Sequence, residues 1–178
     1  LLDQDKPHIP TATLSPEIAA RTITLMAPSK TFNIAGIGLS FAIIPDEKLR
    51  TKFHRAMQGI VPHPNLFGYT AALSAYRDSN DWVAELLVYL RENERIVQER
   101  INSMSGLATT DVEATYLAWI DARELSVDNP HEFFENAGVG LSNGREFHGR
   151  GFVRLNFGCP RTMLVEALDR MENAILAL

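Results

Sequence analysis

Two residues, a lysine and an arginine, lie in sequence surroundings that favour chemistry. Lys30 separates two apolar runs within Thr22–Ile44, and this pattern predicts that both flanking segments are buried. A lysine in dry surroundings loses the solvation of its charged form, so its pKa falls and the neutral amine becomes a nucleophile that forms Schiff bases. The alternative is a lysine that ends a strand and points at water, where most lysines lie. The residue pattern alone leaves both open.

Arg154 lies in the clearest strand pattern of the chain, Phe152–Phe157. Alternation along this strand predicts two faces, one with Phe152, Arg154 and Asn156, the other with Val153, Leu155 and Phe157. The apolar second face predicts a core strand, so the guanidinium group of Arg154 is expected to be half-buried. Such a group suits a paired hydrogen bond to a carboxylate. A salt bridge to an acidic residue of the same fold is the alternative, and it stays open.

Strand and helix patterns alternate along the chain, which predicts an α/β or α+β fold. The predicted strands are Thr22–Met26, Gly36–Ile44, Glu113–Ile120, Val139–Leu141 and Phe152–Phe157. The predicted helices begin near Ser15–Glu17, after Asp46, at Leu66, at Trp82, after Asp128–Pro130 and near Pro160. The helix that begins at Leu66 is apolar enough to be largely buried.

Two of these helices carry an apolar stripe at helical spacing. The stripe of the long helix comprises Trp82, Leu86, Leu90, Val97, Ile101 and Met104. The stripe of the last helix comprises Leu164, Leu168, Met171 and Ile175. Both stripes predict helix faces that pack on a core.

Composition excludes several classes of protein. The chain has 178 residues and a net charge of −5 without a basic stripe, which argues against nucleic acid as a partner. No apolar run approaches the roughly 20 residues that cross a bilayer. The five histidines are scattered, so no metal site is predicted. Cys159 is the single cysteine, which favours a reducing compartment such as the cytoplasm, and it is expected to be packed and inert.

Four stretches together resemble one known family. They are Ala27–Gly36 around Lys30, Ala114–Asp121, Gly138–Ser142, and Gly151–Arg161 around Arg154. They resemble, in the same order, motifs of pyridoxal-phosphate enzymes of aminotransferase fold type I, in the cystathionine β-lyase branch. The resemblance covers nearly the whole chain.

This resemblance implies a fold and three site residues. Residues 1–80 would form the C-terminal part of the cofactor-binding large domain, and residues 81–178 the small α+β C-terminal domain. Lys30 would hold the cofactor, pyridoxal 5'-phosphate, as a Schiff base and then move the substrate's α-proton. Arg154 would bind the substrate's α-carboxylate, and the Ser29 hydroxyl would reach the cofactor phosphate.

The implied reaction is cleavage of the Cβ–S bond of a cystathionine-like thioether amino acid to give a thiol, pyruvate and ammonia. A transaminase of the same fold uses the same lysine and arginine and remains an alternative. A regulatory or binding protein that uses this fold as an interaction surface is a third. The family also implies a homodimer, with Val61–Gly68 near its interface.

The resemblance also implies groups that cannot be assigned in this sequence. In the family, an acidic residue facing the pyridinium nitrogen, a stacked aromatic ring and a glycine-containing phosphate loop precede the lysine segment. The sequence opens at Leu1 without a methionine or a signal-like core, and we expect an N-terminal segment of the same polypeptide to complete the fold. Alone, the chain should be a poor catalyst with apolar strand faces such as Leu39–Ile44 uncovered.

Overall fold

The computed structural model describes residues 5–178, which group into two compact units. One unit is His8–Glu85, and the other combines residues 86–178 with residues 5–7. The division falls inside the long helix Asn80–Ser103, five residues after the boundary between residues 80 and 81 that the sequence predicts for the domains. Among the described residues, no helix is both long enough and apolar enough to cross a membrane.

The unit 8–85 contains a small sheet and three complete helices. Its elements are α1 (Pro16–Ala19), β1 (Thr24–Met26), β2 (Phe41–Ile43), α2 (Glu47–Met57) and α3 (Leu66–Asp78). A side chain caps each helix: Ser15, Asp46 and Asn65 accept hydrogen bonds from the backbone N–H groups of Ile18, Leu49 and Gly68. The helix starts predicted at Ser15 and Asp46 are confirmed.

The strands around the lysine segment are shorter and more exposed than the sequence predicts. They pair antiparallel, with Thr24 opposite Ile43, and the second strand occupies only three residues of the predicted Gly36–Ile44. A 3-10 turn at Ala35–Ile37 precedes it and ends at Gly38, whose φ of 64° favours glycine. The segment therefore turns before it can pair.

The prediction that both flanks of Lys30 are buried is wrong for this chain. Leu25 is 69% exposed and Ile43 is 48% exposed. The physical reason is that a two-stranded ribbon has two faces, and residues 5–178 provide no layer that covers the apolar side chains on this one. The uncovered apolar face expected within Leu39–Ile44 is confirmed at Phe41 and Ile43.

The helix α3 is likewise less buried than predicted. Leu66, Phe67 and Leu73 are exposed, whereas the buried positions are the small residues Gly68, Ala72 and Ala75. Small residues on the inner face let the helix lie close to its neighbour: a Cβ on Gly68 would lie 3.4 Å from the Gly38 carbonyl oxygen. Overall apolarity predicted a buried helix, but the large side chains lie on its outer face.

The unit 86–178 is built on a four-stranded antiparallel sheet. Its elements are α4 (Asn80–Ser103, from residue 86), β3 (Ala108–Thr109), β4 (Leu117–Asp121), α5 (Pro130–Asn136), β5 (Ser142–Asn143), β6 (Phe152–Asn156) and α6 (Arg161–Leu176). The strand order is β3-β4-β6-β5. The short strand predicted at Val139–Leu141 is wrong: Val139 and Leu141 are buried, but pairing begins only at Ser142, opposite Arg154.

One core joins α4 and α6 to the sheet. The buried side chains of β6 are Val153 and Leu155, followed by Phe157, so the predicted apolar face of this strand is confirmed. The helices contribute Leu90, Val97, Ile101, Leu164, Leu168 and Met171, with Leu86 and Ile175 partly buried at its edge, and Met104 follows directly after α4. Both predicted stripes are confirmed except at Trp82, which is exposed. Arg154 lies on the opposite face of β6.

A fully buried asparagine fastens α4 to the end of β6. The Asn93 Nδ2 group donates to the carbonyl oxygens of Phe157 (3.0 Å) and Cys159 (3.1 Å), and its Oδ1 accepts from Arg161 Nε (3.1 Å). Arg161 also lies over the Tyr89 ring, 4.6 Å from its centroid. Every hydrogen-bonding group of the amide is used, so the turn between β6 and α6 is fixed on the helix.

Replacing Asn93 by alanine should destabilise the chain by about 3 kcal/mol. The change leaves two carbonyl oxygens without a donor and opens a cavity, and a buried polar group without a partner costs about 1–3 kcal/mol. Urea denaturation followed by circular dichroism measures the free energy of unfolding. The control is Val88→Ala on the same helix, an exposed position where the expected change is below about 0.5 kcal/mol. Equal effects of the two substitutions would contradict the role given to Asn93.

Candidate active site

Lys30 lies in a tight turn directly after β1. The turn is closed by the Phe32 N–H group, which donates to the Pro28 carbonyl (3.0 Å), and by the Ile34 N–H group, which donates to the Ser29 carbonyl (3.0 Å). Pro28 is buried and anchors the turn, while the lysine side chain is exposed. No hydrogen bond or ion pair to the Lys30 amine is found among residues 5–178, so the amine is accessible to a carbonyl group.

The helix α3 supports the segment that follows the lysine. The Tyr76 ring makes edge-on contacts with Phe32 (5.4 Å between centroids) and Phe41 (6.3 Å). Asn65 Nδ2 donates to the Ile37 carbonyl at 3.1 Å. The end of the lysine turn and the segment after it are therefore held on α3 within their own unit. The amine is exposed but its backbone is anchored.

Ser29, the other predicted cofactor residue, precedes Lys30 in the same turn. Its side chain is half-buried, and its backbone carbonyl closes the turn. A serine hydroxyl can donate one hydrogen bond to a phosphate oxygen. The structure thus brings Ser29 and Lys30 together as neighbours, and the role of Ser29 towards a phosphate stays a prediction.

Arg154 lies on the face of β6 that is turned away from the core. Its Nη2 group donates to Ser142 Oγ at 3.1 Å, and its guanidinium carbon lies 4.3 Å from the centroid of the Phe147 ring. Its Nε atom is buried and has no hydrogen-bond partner. No carboxylate pairs with Arg154 among the described residues. The salt bridge to an acidic residue, which was the alternative for Arg154, is therefore absent from the described part of the chain.

Aromatic rings continue from Arg154 across the sheet. Trp119 faces Arg154 in the register of β4 and β6 and stacks on Phe152, with ring centroids 5.5 Å apart. Phe147 meets Trp119 edge-on at 6.0 Å. These rings limit the directions in which the guanidinium group can move, because one face is covered by Phe147 and one edge is bound to Ser142. The group is held in place without having its charge neutralised.

The sequence pattern missed Ser142 and Phe147 as neighbours of Arg154. Ser142 was part of a recognised stretch, but its pairing with Arg154 depends on the register of β5 and β6. Phe147 contacts the arginine from a 3-10 turn, Gly144–Phe147, that directly follows β5. A Cβ on Gly144 would collide with the carbonyl oxygens of Phe152 and Gly149, so only glycine fits at the start of this turn. The spacing of the glycines in this loop was the feature of the sequence that could have indicated a tight turn beside Arg154.

The predicted site residues lie in different units of the chain. Lys30 and Ser29 belong to the unit 8–85, and Arg154 belongs to the unit 86–178. Within each unit the backbone around the predicted residue is anchored, and neither Lys30 nor Arg154 forms an ion pair among residues 5–178. Among the described residues, no group of three or more His, Cys, Asp or Glu side chains is arranged to hold a metal ion.

These features define the class of protein when they are compared with known families. Residues 3–171 match the family described as aminotransferase class I and II, and the chain belongs to that family. The resemblance noted in the four stretches is thereby confirmed, and so is the fold of a pyridoxal-phosphate aminotransferase.

Curated relatives include both lyases and aminotransferases. The chain is 33% identical to cystathionine beta-lyase PatB of Bacillus subtilis (strain 168), over 94% of this chain and 45% of PatB. It is 31% identical to Protein MalY of Escherichia coli (strain K12), over 98% of this chain and 46% of MalY. An aspartate aminotransferase of Pyrococcus horikoshii is 28% identical over 97% of this chain and 45% of that protein. The chain spans about half the length of the curated relatives it matches.

Solved structures agree with these relatives. OvoB superimposes with a TM-score of 0.96 and 47% identity over 98% of this chain and 46% of OvoB. Cystalysin from Treponema denticola, whose structure contains pyridoxal 5'-phosphate, gives a TM-score of 0.88 and 31% identity over 93% of this chain and 44% of cystalysin. The chain is therefore similar in fold to a protein that holds this cofactor.

Cys159 should react slowly with alkylating reagents. The thiol follows β6 and is partly buried, and burial raises its pKa, so less thiolate is present at pH 8. We expect alkylation by iodoacetamide to be several-fold slower than that of free cysteine, and to accelerate when the chain is unfolded in urea. Mass spectrometry over time gives both rates. A rate equal to that of free cysteine in the folded protein would contradict the packed, inert thiol.

Proposed function

We propose that this chain forms part of a pyridoxal-phosphate-dependent carbon–sulfur β-lyase. With water, the reaction would convert a cystathionine-like thioether amino acid into a thiol, pyruvate and ammonia. The observation that carries the binding of an amino-acid substrate is the guanidinium group of Arg154, which is anchored by Ser142 and Phe147 but pairs with no carboxylate among the described residues. A substrate α-carboxylate is the partner that such a group lacks. The 33% identity to cystathionine beta-lyase PatB favours the lyase reaction over transamination.

The residues of this chain fit the cofactor in chemistry. Bound pyridoxal phosphate supplies an electron sink for the carbanion formed at the substrate's α-carbon. The exposed Lys30 amine can hold the cofactor covalently and afterwards accept the α-proton. Ser29 can donate a hydrogen bond to a phosphate oxygen. Arg154 can hold the α-carboxylate through two parallel hydrogen bonds and so fix the orientation of the α-carbon.

The groups that this chain does not supply are part of the same proposal. Relatives such as PatB and MalY are about twice as long as the chain. The exposed apolar face of β1 and β2 is the kind of surface that a further layer of a larger sheet covers. We therefore propose that a segment of the full-length polypeptide covers this face and completes the cofactor site. A homodimer and a cytoplasmic location stay predictions.

Transamination is the second candidate, and the similarity to an aspartate aminotransferase favours it. Both reactions begin with removal of the α-proton, so Lys30 and Arg154 would play the same parts in each. The reactions differ in what happens next. A lyase expels the sulfur leaving group, whereas a transaminase returns the proton at a different carbon and releases a 2-oxo acid.

The products separate the two candidates. The full-length protein, supplied with pyridoxal phosphate, is incubated with cystathionine alone and with cystathionine plus 2-oxoglutarate. A lyase forms pyruvate, thiol and ammonia in equal amounts in both samples. A transaminase forms glutamate, and only when 2-oxoglutarate is present. Absence of thiol release from cystathionine and from smaller thioether amino acids would overturn the lyase proposal.

A further inference from the structure

A polar cavity lies in the unit 86–178, and its lining does not include Arg154 or its contacts Ser142 and Phe147. Its volume is about 300 Å³, which is at the lower end of ligand pockets. The walls come from the residues after β4, the start of α5, the loop before β6 and the first residues of β6. Three arginines line it, Arg123, Arg145 and Arg150, against one carboxylate, Asp128. Arg154 is not among the lining residues.

The charge of one of the three arginines, Arg123, is balanced by an ion pair. Arg123 Nε lies 2.9 Å from Asp121 Oδ1, and Arg123 Nη2 lies 2.7 Å from Asp121 Oδ2. The guanidinium group holds the pKa of the Asp121 carboxyl below its usual range, so this pair stays ionised. The Arg123 side chain lies over the Phe152 ring at 4.9 Å and passes close to Gly151, where a Cβ would be 2.6 Å from Arg123 Cγ. Arg123 therefore lines the cavity without adding an unbalanced charge to it.

The charges of the other two arginines are not balanced by an ion pair among the described residues. No acidic side chain pairs with Arg145 or Arg150 among residues 5–178. The loop that carries them is closed by the Gly149 N–H group, which donates to the Gly144 carbonyl at 2.8 Å. The Arg145 N–H group donates to Asn143 Oδ1 at 3.1 Å, which fixes the start of the turn. Arg145 and Arg150 are exposed residues of this closed loop, and both belong to the lining of the cavity.

Electrostatics and shape together indicate what the cavity can hold. Besides the paired Arg123, the lining holds Arg145, Arg150 and a single carboxylate, Asp128, so positive charge is in excess there although the net charge of the chain is −5. Guanidinium groups bind carboxylate and phosphate oxygens through paired, charge-assisted hydrogen bonds. Val127, Pro130 and Phe152 supply apolar wall for the carbon part of a ligand.

We propose that this cavity binds a small organic anion through a carboxylate or phosphate group held by Arg145 and Arg150. The proposal does not depend on the lyase activity, because the lysine turn takes no part in it. It is also separate from recognition of the substrate's α-carboxylate, since Arg154 lies outside the cavity lining.

Calorimetric titration of the full-length protein tests the site. Inorganic phosphate and succinate are the two probes, each titrated at constant ionic strength adjusted with sodium chloride. We expect saturable binding of at least one probe, with one site per chain. The double variant Arg145→Gln/Arg150→Gln should weaken that binding about tenfold or more, because it removes the charge-assisted bonds. Binding of phosphate alone or of succinate alone identifies the preferred group, and either result supports the site when the double variant weakens that binding.

Two control variants make the test specific. Arg21→Gln/Arg55→Gln removes the same charge from exposed positions of the other unit and should leave the affinity unchanged. Arg154→Lys should also leave it unchanged, which distinguishes this site from the proposed substrate site. The proposal is overturned if neither probe binds saturably at constant ionic strength, or if the cavity double variant binds as tightly as the original protein.

Discussion

Replacing Lys30 by alanine is expected to lower the turnover of thioether amino acids by the full-length protein about 10³-fold. A positioned group that moves a proton contributes about 10²–10⁴-fold, and the same amine would also hold the cofactor. The Lys30 side chain is exposed in a turn whose backbone is fixed by Pro28, Phe32 and Ile34, so the substitution should not disturb the fold. The measured loss of turnover should therefore come from the missing amine and not from a loss of folded protein.

Borohydride reduction gives this prediction a readout that does not depend on turnover. Reduction of the protein loaded with pyridoxal phosphate should attach the cofactor to the peptide that contains Lys30, as detected by mass spectrometry. Lys52→Ala is the matched control, because Lys52 is an exposed lysine on α2 of the same unit. Its label and activity should equal those of the original protein. The proposed function would lose its basis if reduction attached the cofactor to a different lysine, or if it still attached the cofactor covalently to the Lys30→Ala protein.

Replacing Arg154 by lysine is expected to lower kcat/KM for the amino-acid substrate about 10²-fold, mainly through a higher KM. Lysine keeps the positive charge but loses the planar fork, and each hydrogen bond to a charged group contributes about 1.5–3 kcal/mol. The substitution also releases Ser142 and removes the contact with the Phe147 ring. Binding of the cofactor should be unchanged, since Lys30 and Ser29 are intact.

Steady-state kinetics with cystathionine and absorbance titration with pyridoxal phosphate separate the two effects. Arg95→Lys on α4 is the control, because Arg95 forms only exposed ion pairs with Glu92 and Glu99. Its kcat/KM should stay within about twofold of the original value. An Arg154→Lys protein with unchanged KM would show that Arg154 does not bind the α-carboxylate.

Local patterns were sufficient to predict the elements and their inner faces. The alternation of β6 placed Arg154 on the outer face and Val153, Leu155 and Phe157 in the core, as the structure confirms. Helical spacing predicted the buried stripe of α6, and the caps Ser15 and Asp46 predicted helix starts. Each of these depends on side-chain periodicity or on a contact within about four residues, which a sequence contains directly.

Burial and long-range pairing were not predictable in the same way. Apolar content predicted covered flanks for Lys30, but Leu25 and Ile43 are exposed because cover depends on elements distant in the sequence. Asn93 occupies a polar position within the apolar stripe of α4, three residues after Leu90, and could have been noticed there. Its partners Phe157 and Cys159, however, are more than sixty residues away.

For this protein, the sequence by itself determined the family, the reactive residue types at positions 30 and 154, and the strand face that carries the arginine. Tertiary structure decided that Arg154 is anchored by Ser142 and Phe147 and left without an acidic partner among the described residues, because strand register and a glycine-closed turn bring those side chains together. It also decided that Arg145 and Arg150 line one cavity. Chemistry is encoded in residue types, but the pairing of charges depends on which distant segments meet.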